Sequence, residues 1–272
     1  ESTDYGRDWL NGFRNSPDTI NPIDIPVNIT NYQPGDAIRA TGVLSAVYDE
    51  DDSLHIVWVA PLYNSGAIAS ECYIYHWSKA TGIDRVADGT YNLPDAAGQS
   101  RSSSFNLMDP FIGVHDGTGD ATRKNFLYVT WVQFGPGTTD ASVAGVVNGE
   151  IYINASTNKG NTWGGPTNIT NSPTPGCDRN CDSDVGATCA ERVNDTIHIS
   201  YINDKSTGVV LNGQGGPTLN PILYYKHPAY TPAAFRAVGA EPAVFEDPVA
   251  SPVLTSIIDT FFKVLNVCYQ TM

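Results

Sequence analysis

Ser156-Thr157-Asn158-Lys159-Gly160-Asn161-Thr162-Trp163 is a pattern that recurs along this chain. The stretch Ser2–Trp9 has the same frame: Ser, then Asp or Asn two residues on, Gly after two more and Trp three further. The stretch Ser78–Arg85 keeps the Ser and the Gly. The three stretches begin about 76 to 78 residues apart. A regular period of this kind indicates a fold built from repeated units.

Each residue type in the frame has a physical role in a tight turn. Ser, Asp and Asn side chains bond nearby backbone groups, and Gly supplies the positive φ that such a turn needs. The Trp anchors the turn on the apolar layer beneath it. We therefore expect the residues of the two complete frames to be structural. They are Ser2, Asp4, Gly6, Trp9, Ser156, Asn158, Gly160 and Trp163.

Segments between the turns alternate in the way that predicts β-strands. Three segments rich in small residues are predicted as inner strands: Gly42–Tyr48, Pro110–His115 and Val185–Ala190. The predicted second strands are Leu54–Trp58, Leu127–Trp131 and Ile197–Tyr201. The predicted third strands are Tyr73–Tyr75, Ile151–Ile153 and Ile222–Tyr225. Val27–Asn31 and Thr167–Asn171 are near-copies, predicted as outer fourth strands.

The turn frame resembles the Asp-box, or bacterial neuraminidase repeat, of sialidase-like β-propellers and their non-catalytic relatives. In that family the turn joins the third and fourth strands of a blade. The resemblance implies an all-β fold: a β-propeller of four-stranded antiparallel blades over residues 1–245. We expect a partial blade at 1–31 and full blades at about 38–92, 105–171 and 185–240. Residues 246–272 are predicted to add strands that close the propeller or contact a neighbour.

The number of blades has two interpretations. The chain starts within a turn frame, so residues 1–31 supply only the end of a blade. In one interpretation the C-terminal segment completes that blade, which gives four blades. In the other, upstream blades are missing from this chain, and the usual size of sialidase-like propellers favours this second interpretation.

Composition limits the classes of partner. Lys and Arg number 15 against 29 Asp and Glu, for a net charge of −14. Nucleic-acid-binding surfaces are basic, so no nucleic-acid partner is expected. No stretch approaches the roughly 18 apolar residues of a membrane span, so no membrane insertion is expected. Little Lys with abundant Thr, Asn, Gly and Tyr is typical of secreted β-proteins and predicts an extracellular or cell-surface location.

Two covalent modifications are predicted from short patterns. Among five cysteines, Cys177 and Cys181 flank a short loop and form the predicted disulfide in an extracellular protein. A zinc site is the alternative interpretation of the pair. Four asparagines stand in Asn-x-Ser/Thr triplets and are candidate glycosylation sites. They are Asn28, Asn154, Asn168 and Asn194.

Catalytic residues are harder to place. The resemblance implies that a sialidase would carry three arginines, a Tyr nucleophile with a Glu partner, an acid/base Asp and an Arg-Ile-Pro motif. The nearest string, Asp24-Ile25-Pro26, lacks the Arg, and Arg39 and Arg192 are the nearest candidates for an arginine clamp. We assign no catalytic residue. Carboxylates near the ends of inner strands are candidates for generic glycosidase chemistry, with a turn-forming role as the alternative. They are Asp109, Asp116, Asp182, Asp184 and Glu191.

Two acidic loops are candidate calcium sites, since calcium takes several oxygen ligands from a flexible loop. One contains Asp116 and Asp120, and the other is Asp49–Asp52. Both are first of all hairpin loops between predicted strands, and no other cofactor is expected. His55 and His198 occupy the same position of the repeat, with Tyr128 at the third. That equivalence predicts a structural role for them.

The sequence therefore predicts a non-catalytic extracellular or cell-surface propeller that acts as a structural or interaction module. The alternative is a secreted glycoside hydrolase of sialidase type with site residues partly outside this chain. A third hypothesis is self-assembly into a fibre, because open sheet edges accept strands from another copy and a contact that does not close makes a filament. The predicted partners are glycans or further copies of the chain.

Overall fold

The computed structural model describes residues 28–33, 35–41, 43–64, 67–91, 105–136, 139–208 and 215–230. In this part the chain is all-β, with strands in three antiparallel meanders and one 3₁₀ turn at Ala121–Arg123. The predicted partial blade at 1–31, apart from residues 28–31, and the whole C-terminal segment 246–272 lie outside the described residues.

The first sheet contains four strands in the order in which they occur along the chain. They are β1 Leu44–Tyr48, β2 Leu54–Asn64, β3 Ala67–Ser78 and β4 Gly82–Gly89. Every neighbouring pair is antiparallel, and the register places Leu44 opposite Trp58 and Trp58 opposite Tyr75. All four strands fall within the predicted unit 38–92.

The second sheet repeats this meander with a shorter fourth strand. It contains β5 Leu107–His115, β6 Leu127–Phe134, β7 Gly149–Ser156 and β8 Thr167–Asn168. A two-residue strand from the next repeat, β10 Arg192–Val193, pairs in parallel with the end of β5. The second sheet is thus joined to the third by backbone bonds as well as by packing.

The third sheet has three described strands, which are β9 Ser183–Cys189, β11 Thr196–Asp204 and β12 Ile222–Pro228. Their order in the sheet is β12-β11-β9. β9 begins two residues before the predicted unit 185–240. The described residues end at 230, two residues after β12, so a fourth strand of the predicted unit 185–240 is not tested.

The second sheet packs between the other two. One apolar layer joins it to the first sheet and includes Val57, Ile74 and Trp131. The other layer joins it to the third sheet and includes Tyr128 and Ile199. Successive side chains of a strand point to opposite faces, so β6 supplies both layers. Each fully buried large apolar side chain contributes about 1.5 to 3 kcal/mol, and this makes the second sheet the centre of the described fold.

The prediction of outer strands at Val27–Asn31 and Thr167–Asn171 is confirmed only for Thr167–Asn168, which form β8, the fourth strand of the second sheet. Residues 28–31 form no strand, and β8 ends at Asn168. Asn28 Oδ1 accepts a hydrogen bond from the Asn31 amide at 3.0 Å, and Asn168 Oδ1 accepts one from the Asn171 amide at 2.9 Å. Asn31 and Asn171 have φ values of 51° and 44°. Asn tolerates this left-handed conformation and caps turns, so both copies turn the chain.

Candidate functional site

The Ser156 turn, defined as residues Ser156–Trp163, follows β7 and is closed by its own side chains. Ser156 Oγ accepts hydrogen bonds from the amides of Gly160 at 2.8 Å and Asn158 at 3.3 Å. Asn158 Oδ1 accepts from the Thr162 amide at 2.9 Å. Gly160 has a φ of 85°, which an L side chain rarely adopts. The turn is therefore held locally, before any contact with another sheet.

The first sheet has a related turn between β3 and β4. There the Thr81 amide donates to Ser78 Oγ at 3.1 Å, and Gly82 has a φ of 73°. The Ser156 turn occupies the corresponding place between β7 and β8 of the second sheet. The third copy, with Ser2, Asp4, Gly6 and Trp9, lies outside the described residues.

The Ser156 turn packs against the first sheet at His76. A Cβ atom on Gly160 would lie 2.1 Å from His76 Cε1, so only glycine fits. The Trp163 ring meets the His76 ring edge-on, with centroids 5.4 Å apart. Trp163 is partly buried and packs on the apolar layer between the first two sheets. The turn is thus a contact between sheets as well as a connection within one.

Cations of the second sheet hold the acidic loop Asp49–Asp52 of the first. Lys159 Nζ lies 3.0 Å from Asp49 Oδ2 and 2.7 Å from Asp51 Oδ2. Lys124 Nζ lies 3.0 Å from Asp51 Oδ1. Hydrogen bonds from Lys159 and then Lys124 lower the pKa of Asp51 to about 2. Protein cations thus occupy the carboxylates that the sequence offered to calcium.

His55 and His76 lie directly beneath this loop. His55 Nδ1 is 2.9 Å from His76 Nε2, and His55 Nε2 is 3.4 Å from Asp49 Oδ2. Both rings are buried, with exposed fractions of 1% and 0%. His198, the repeat equivalent of His55, instead stacks on Tyr224 with ring centroids 5.8 Å apart and is partly exposed. His55 and His198 therefore have different surroundings although they occupy the same position of the repeat.

The second candidate calcium loop also uses its carboxylates locally. Asp116 Oδ1 accepts from the Thr118 amide at 2.7 Å. Asp120 Oδ1 accepts from the Thr122 amide at 2.9 Å, and Asp120 Oδ2 pairs with Arg123 Nε at 3.1 Å. Throughout the described ranges, no group of three or more His, Cys, Asp or Glu is placed to hold a metal ion. The structure gives the calcium prediction no support.

A buried carboxylate cluster, made of Glu150 and Asp184, joins the second sheet to the third. Glu150 is the second residue of β7, and Asp184 is the second residue of β9. Ser172 connects them: its hydroxyl donates to Asp184 Oδ2 at 2.8 Å, and its amide donates to Glu150 Oε1 at 3.0 Å. Thr170 Oγ1 donates to Glu150 Oε2 at 2.6 Å, and Asn203 Nδ2 to Asp184 Oδ1 at 2.8 Å. Each carboxyl group thus has at least two protein donors.

The two carboxyl groups resist ionisation together. Burial raises the pKa of Glu150 to about 7, and the neighbouring charge of Asp184 adds to the increase. Burial also raises the pKa of Asp184. The pKa of Tyr201 is raised by burial and then by Asp184, which is opposite to what a phenolate nucleophile requires. Because both carboxyl groups are also buried and bonded to protein donors, the arrangement favours a structural connection over an acid/base pair.

Asp109 is a different kind of carboxylate. It stands at a bulge of β5, where the register with β6 shifts between Met108 and Phe111, and its φ is 50°. Gly186 takes the matching place in β9, with a φ of 63° opposite a similar shift in β11. Burial raises the pKa of Asp109. Bulges and strained backbone are enriched next to active sites, so this carboxylate is the best catalytic candidate among the described residues.

The other polar candidates are dispersed. Arg39 lies 4.2 Å from the centroid of the Tyr63 ring, and Arg192 pairs with Glu50. Asp182 pairs with Lys205 at 2.5 Å, and Glu191 is exposed. Arg39 and Arg192 share no partner, so the described residues do not bring these two arginines together as a clamp.

The predicted disulfide is confirmed. Cys177 and Cys181 are bonded, and both are buried. Hydrogen bonds fix the C-terminal side of the bonded loop, since the Asp182 amide donates to Thr174 Oγ1 at 2.9 Å and the Cys181 amide donates to the Lys205 carbonyl at 3.1 Å. The zinc alternative for this pair is therefore not needed.

One candidate glycosylation site requires a correction. Asn154 is fully buried, and its Nδ2 donates to the Val86 carbonyl at 2.9 Å. This is the atom that a glycan would modify, and it instead ties β7 to β4. Asn28 and Asn194 are exposed and Asn168 is partly buried, and glycosylation at these three remains a prediction.

Sequence reasoning overlooked Glu150, His76 and the role of Lys159. Glu150 stands directly before a predicted strand, and a charged residue at such an edge was the available signal. Lys159 stood inside the turn frame, but its partners are about 110 residues earlier in the chain.

Among the residues described, no helix has the length and apolar character to cross a membrane.

No protein-family model and no curated protein sequence matches the chain. Several solved structures do. An α-L-arabinanase of Penicillium chrysogenum, complexed with arabinobiose, is 13% identical, with 70% of this chain and 50% of that chain covered and a TM-score of 0.34. An α-L-arabinofuranosidase of Fusarium graminearum, in complex with an iminosugar inhibitor, is 10% identical, with 73% and 47% covered and a TM-score of 0.35.

A protein of unknown function from Dyadobacter fermentans is 10% identical, with 70% of this chain and 56% of that chain covered and a TM-score of 0.39. The chain spans about half the length of these three structures. Identities and TM-scores at this level assign no activity to the chain.

Gly160→Ala should destabilise the protein by about 2 to 4 kcal/mol, because the new methyl group collides with His76 and the backbone conformation is strained. The midpoint of urea unfolding measures this. The matched control is Gly165→Ala, where no atom lies within 4 Å of the new Cβ. Equal midpoints for the two variants would contradict the proposed contact.

Replacing Glu150 by Gln should change how stability depends on pH. The folded pKa of about 7 exceeds the ordinary value of 4.5, so the folded state binds more protons than the unfolded state. This contribution is full below about pH 4.5 and is lost as pH rises through 7, for a total of about 3 kcal/mol.

Urea unfolding from pH 5 to 8 should therefore show a smaller decline for Glu150→Gln than for the wild type. Glu191→Gln, at an exposed carboxylate, should follow the wild type. Parallel curves for all three proteins would rule out a raised pKa at Glu150.

Proposed function

We propose that this chain is a non-catalytic module of β-propeller type that acts as a scaffold or binding unit outside the cell. The observation that carries this proposal is the use of its buried carboxylates. Asp49, Glu150 and Asp184 are 4%, 8% and 1% exposed, and each accepts bonds from protein donors. A glycosidase needs two carboxyl groups that face a substrate across a pocket. These groups instead connect one sheet to the next.

The stacking of the sheets supports the propeller part of the proposal. Antiparallel meanders pack face to face in chain order, and the first contains four strands. The Ser78 and Ser156 turns join the third and fourth strands of their sheets, which is the place of the Asp-box turn in the family that the sequence resembles. We propose that these meanders are blades.

An extracellular or cell-surface location is part of the same proposal. The Cys177–Cys181 disulfide supports it, because such bonds persist in oxidising compartments. The partners that we propose are glycans or further copies of the chain. Light scattering at increasing protein concentration separates the two: growth of the particle supports self-association, whereas a constant monomer mass directs the search to glycans.

A glycoside hydrolase is the second candidate, and Asp109 is the specific observation that favours it. Its carboxylate is desolvated and lies at a strained bulge of the first strand of the second sheet. A carboxyl group with a raised pKa suits a general acid. Glu150 and Asp184 are bonded instead to Ser172, Thr170 and Asn203, so neither is assigned as the partner carboxylate of Asp109.

We expect the purified chain to release no fluorophore from a panel of 4-methylumbelliferyl glycosides that includes the sialoside and the α-L-arabinofuranoside. The test includes Asp109→Asn and, as a control at a turn carboxylate, Asp116→Asn. Turnover that Asp109→Asn abolishes and Asp116→Asn preserves would replace the proposed module by an enzyme.

A further inference from the structure

The contact between the first two sheets contains a polar chain that ends without a partner. It runs from Asp49 through His55 to His76, and His76 Nδ1 is buried with no hydrogen-bond partner. This nitrogen faces the Ser156 turn, since a Cβ on Gly160 would lie 2.4 Å from it. We propose that these three side chains, Asp49, His55 and His76, form an acid-sensitive lock, which holds the Ser156 turn on the first sheet at neutral pH and releases it at acidic pH.

The contacts assign one tautomer to each ring at neutral pH. His55 Nε2 faces the Asp49 carboxylate, so it carries the proton and donates. Neutral His55 then has a lone pair on Nδ1, and His76 Nε2 must donate to it. Neutral His76 is left with a lone pair on Nδ1, which points at the glycine of the turn. A lone pair needs little space there, whereas an N–H group would need an acceptor.

Every way of adding a proton disturbs this end of the chain. A proton on His76 Nδ1 creates a buried cation whose new N–H group has no acceptor. A proton on His55 Nδ1 faces the N–H of His76 Nε2, unless His76 changes tautomer. That change again places a hydrogen on His76 Nδ1. Both routes therefore put an unpaired donor between His76 and Gly160, which favours separation of the turn from the sheet.

The surrounding charges do not offset the penalty. From the Ser156 turn, Lys159 brings a positive charge to the Asp49 carboxylate, and Lys124 reaches Asp51. From β4, Asp84 lies opposite His76 in the strand register but has a buried oxygen without a partner. Burial raises the pKa of Asp84, and the hydrogen bond of the His76 ring goes to His55. The carboxylate that contacts the histidine pair is Asp49, and it lies against His55 rather than His76.

The direction of the effect follows from the pKa of His76, which burial and then His55 lower to about 3 from the ordinary 6.5. Between these values the separated state binds a proton and the packed state does not. Packing is therefore stable above about pH 6.5 and weakens as pH falls. At pH 5 the equilibrium for opening should have risen about thirtyfold.

Global stability alone does not reveal the lock, because Glu150 titrates with the opposite sign in the same range. The experiment is therefore local and comparative. Hydrogen exchange by mass spectrometry follows the peptide that covers residues 156–166 at pH 7.5 and pH 5, corrected for intrinsic exchange. The variant is His76→Phe, which retains a ring and removes the titrating group. The matched control is His198→Phe, at a partly exposed histidine of the third sheet.

We expect exchange of this peptide in the wild type and in His198→Phe to rise by about thirtyfold between the two pH values. In His76→Phe it should change little. Equal pH dependence in all three proteins overturns the proposal. Nitrogen-15 spectra of the wild-type histidines give a second test that needs no variant. They should show His76 neutral, with the proton on Nε2, at pH 7.5, and an imidazolium at His76 at that pH would overturn the lock.

Discussion

The ion pair between Lys159 and the buried carboxylate of Asp49 is the contact on which the joint between the first two sheets depends. The hydrophobic effect is non-directional, so burial of apolar faces alone specifies the alignment of two sheets less sharply than a buried ion pair does. Asp49 has a fully buried side chain, and Lys159 comes from a turn of the next sheet. An unpaired buried charge is costly, and the sheets must therefore align so that the two groups meet.

The contact between the second and third sheets is also aligned by buried carboxyl groups, but their hydrogen-bond donors are neutral. Glu150 and Asp184 receive bonds from hydroxyl, amide and backbone groups. Burial raises the pKa values of both groups, so protonation strengthens this joint. Acid weakens the first joint, where His76 must remain neutral. Two neighbouring joints thus respond to pH in opposite directions, for the one reason that each excludes water from its titrating groups.

Much of the sheet structure was predictable because alternation is a local property. The central parts of the inner, second and third strands lie where β-branched and aromatic residues alternate, and the cysteine pair was close enough in sequence to identify. The outer strand expected at Thr167–Asn171 ends at Asn168, and residues 28–31 form no strand, because Asn caps turns and tolerates left-handed backbone, which outweighs the β propensity of Ile and Thr. Asn154 looked like a glycan acceptor because a triplet carries no information about burial. Lys159, His76 and Glu150 could not be assigned, since their roles depend on which sheets become neighbours.

A double-mutant cycle between Asp49 and Lys159 tests the account most directly. Urea unfolding at pH 7 is measured for Asp49→Asn, Lys159→Met and the double variant, with a parallel cycle between Asp51 and Lys159. The side chain of Asp51 is 49% exposed and that of Asp49 is 0% exposed, so the Asp49 cycle should give a coupling energy above about 1 kcal/mol and the Asp51 cycle a smaller one. Additive effects of Asp49→Asn and Lys159→Met, within about 0.3 kcal/mol, would contradict the claim that this ion pair aligns the two sheets.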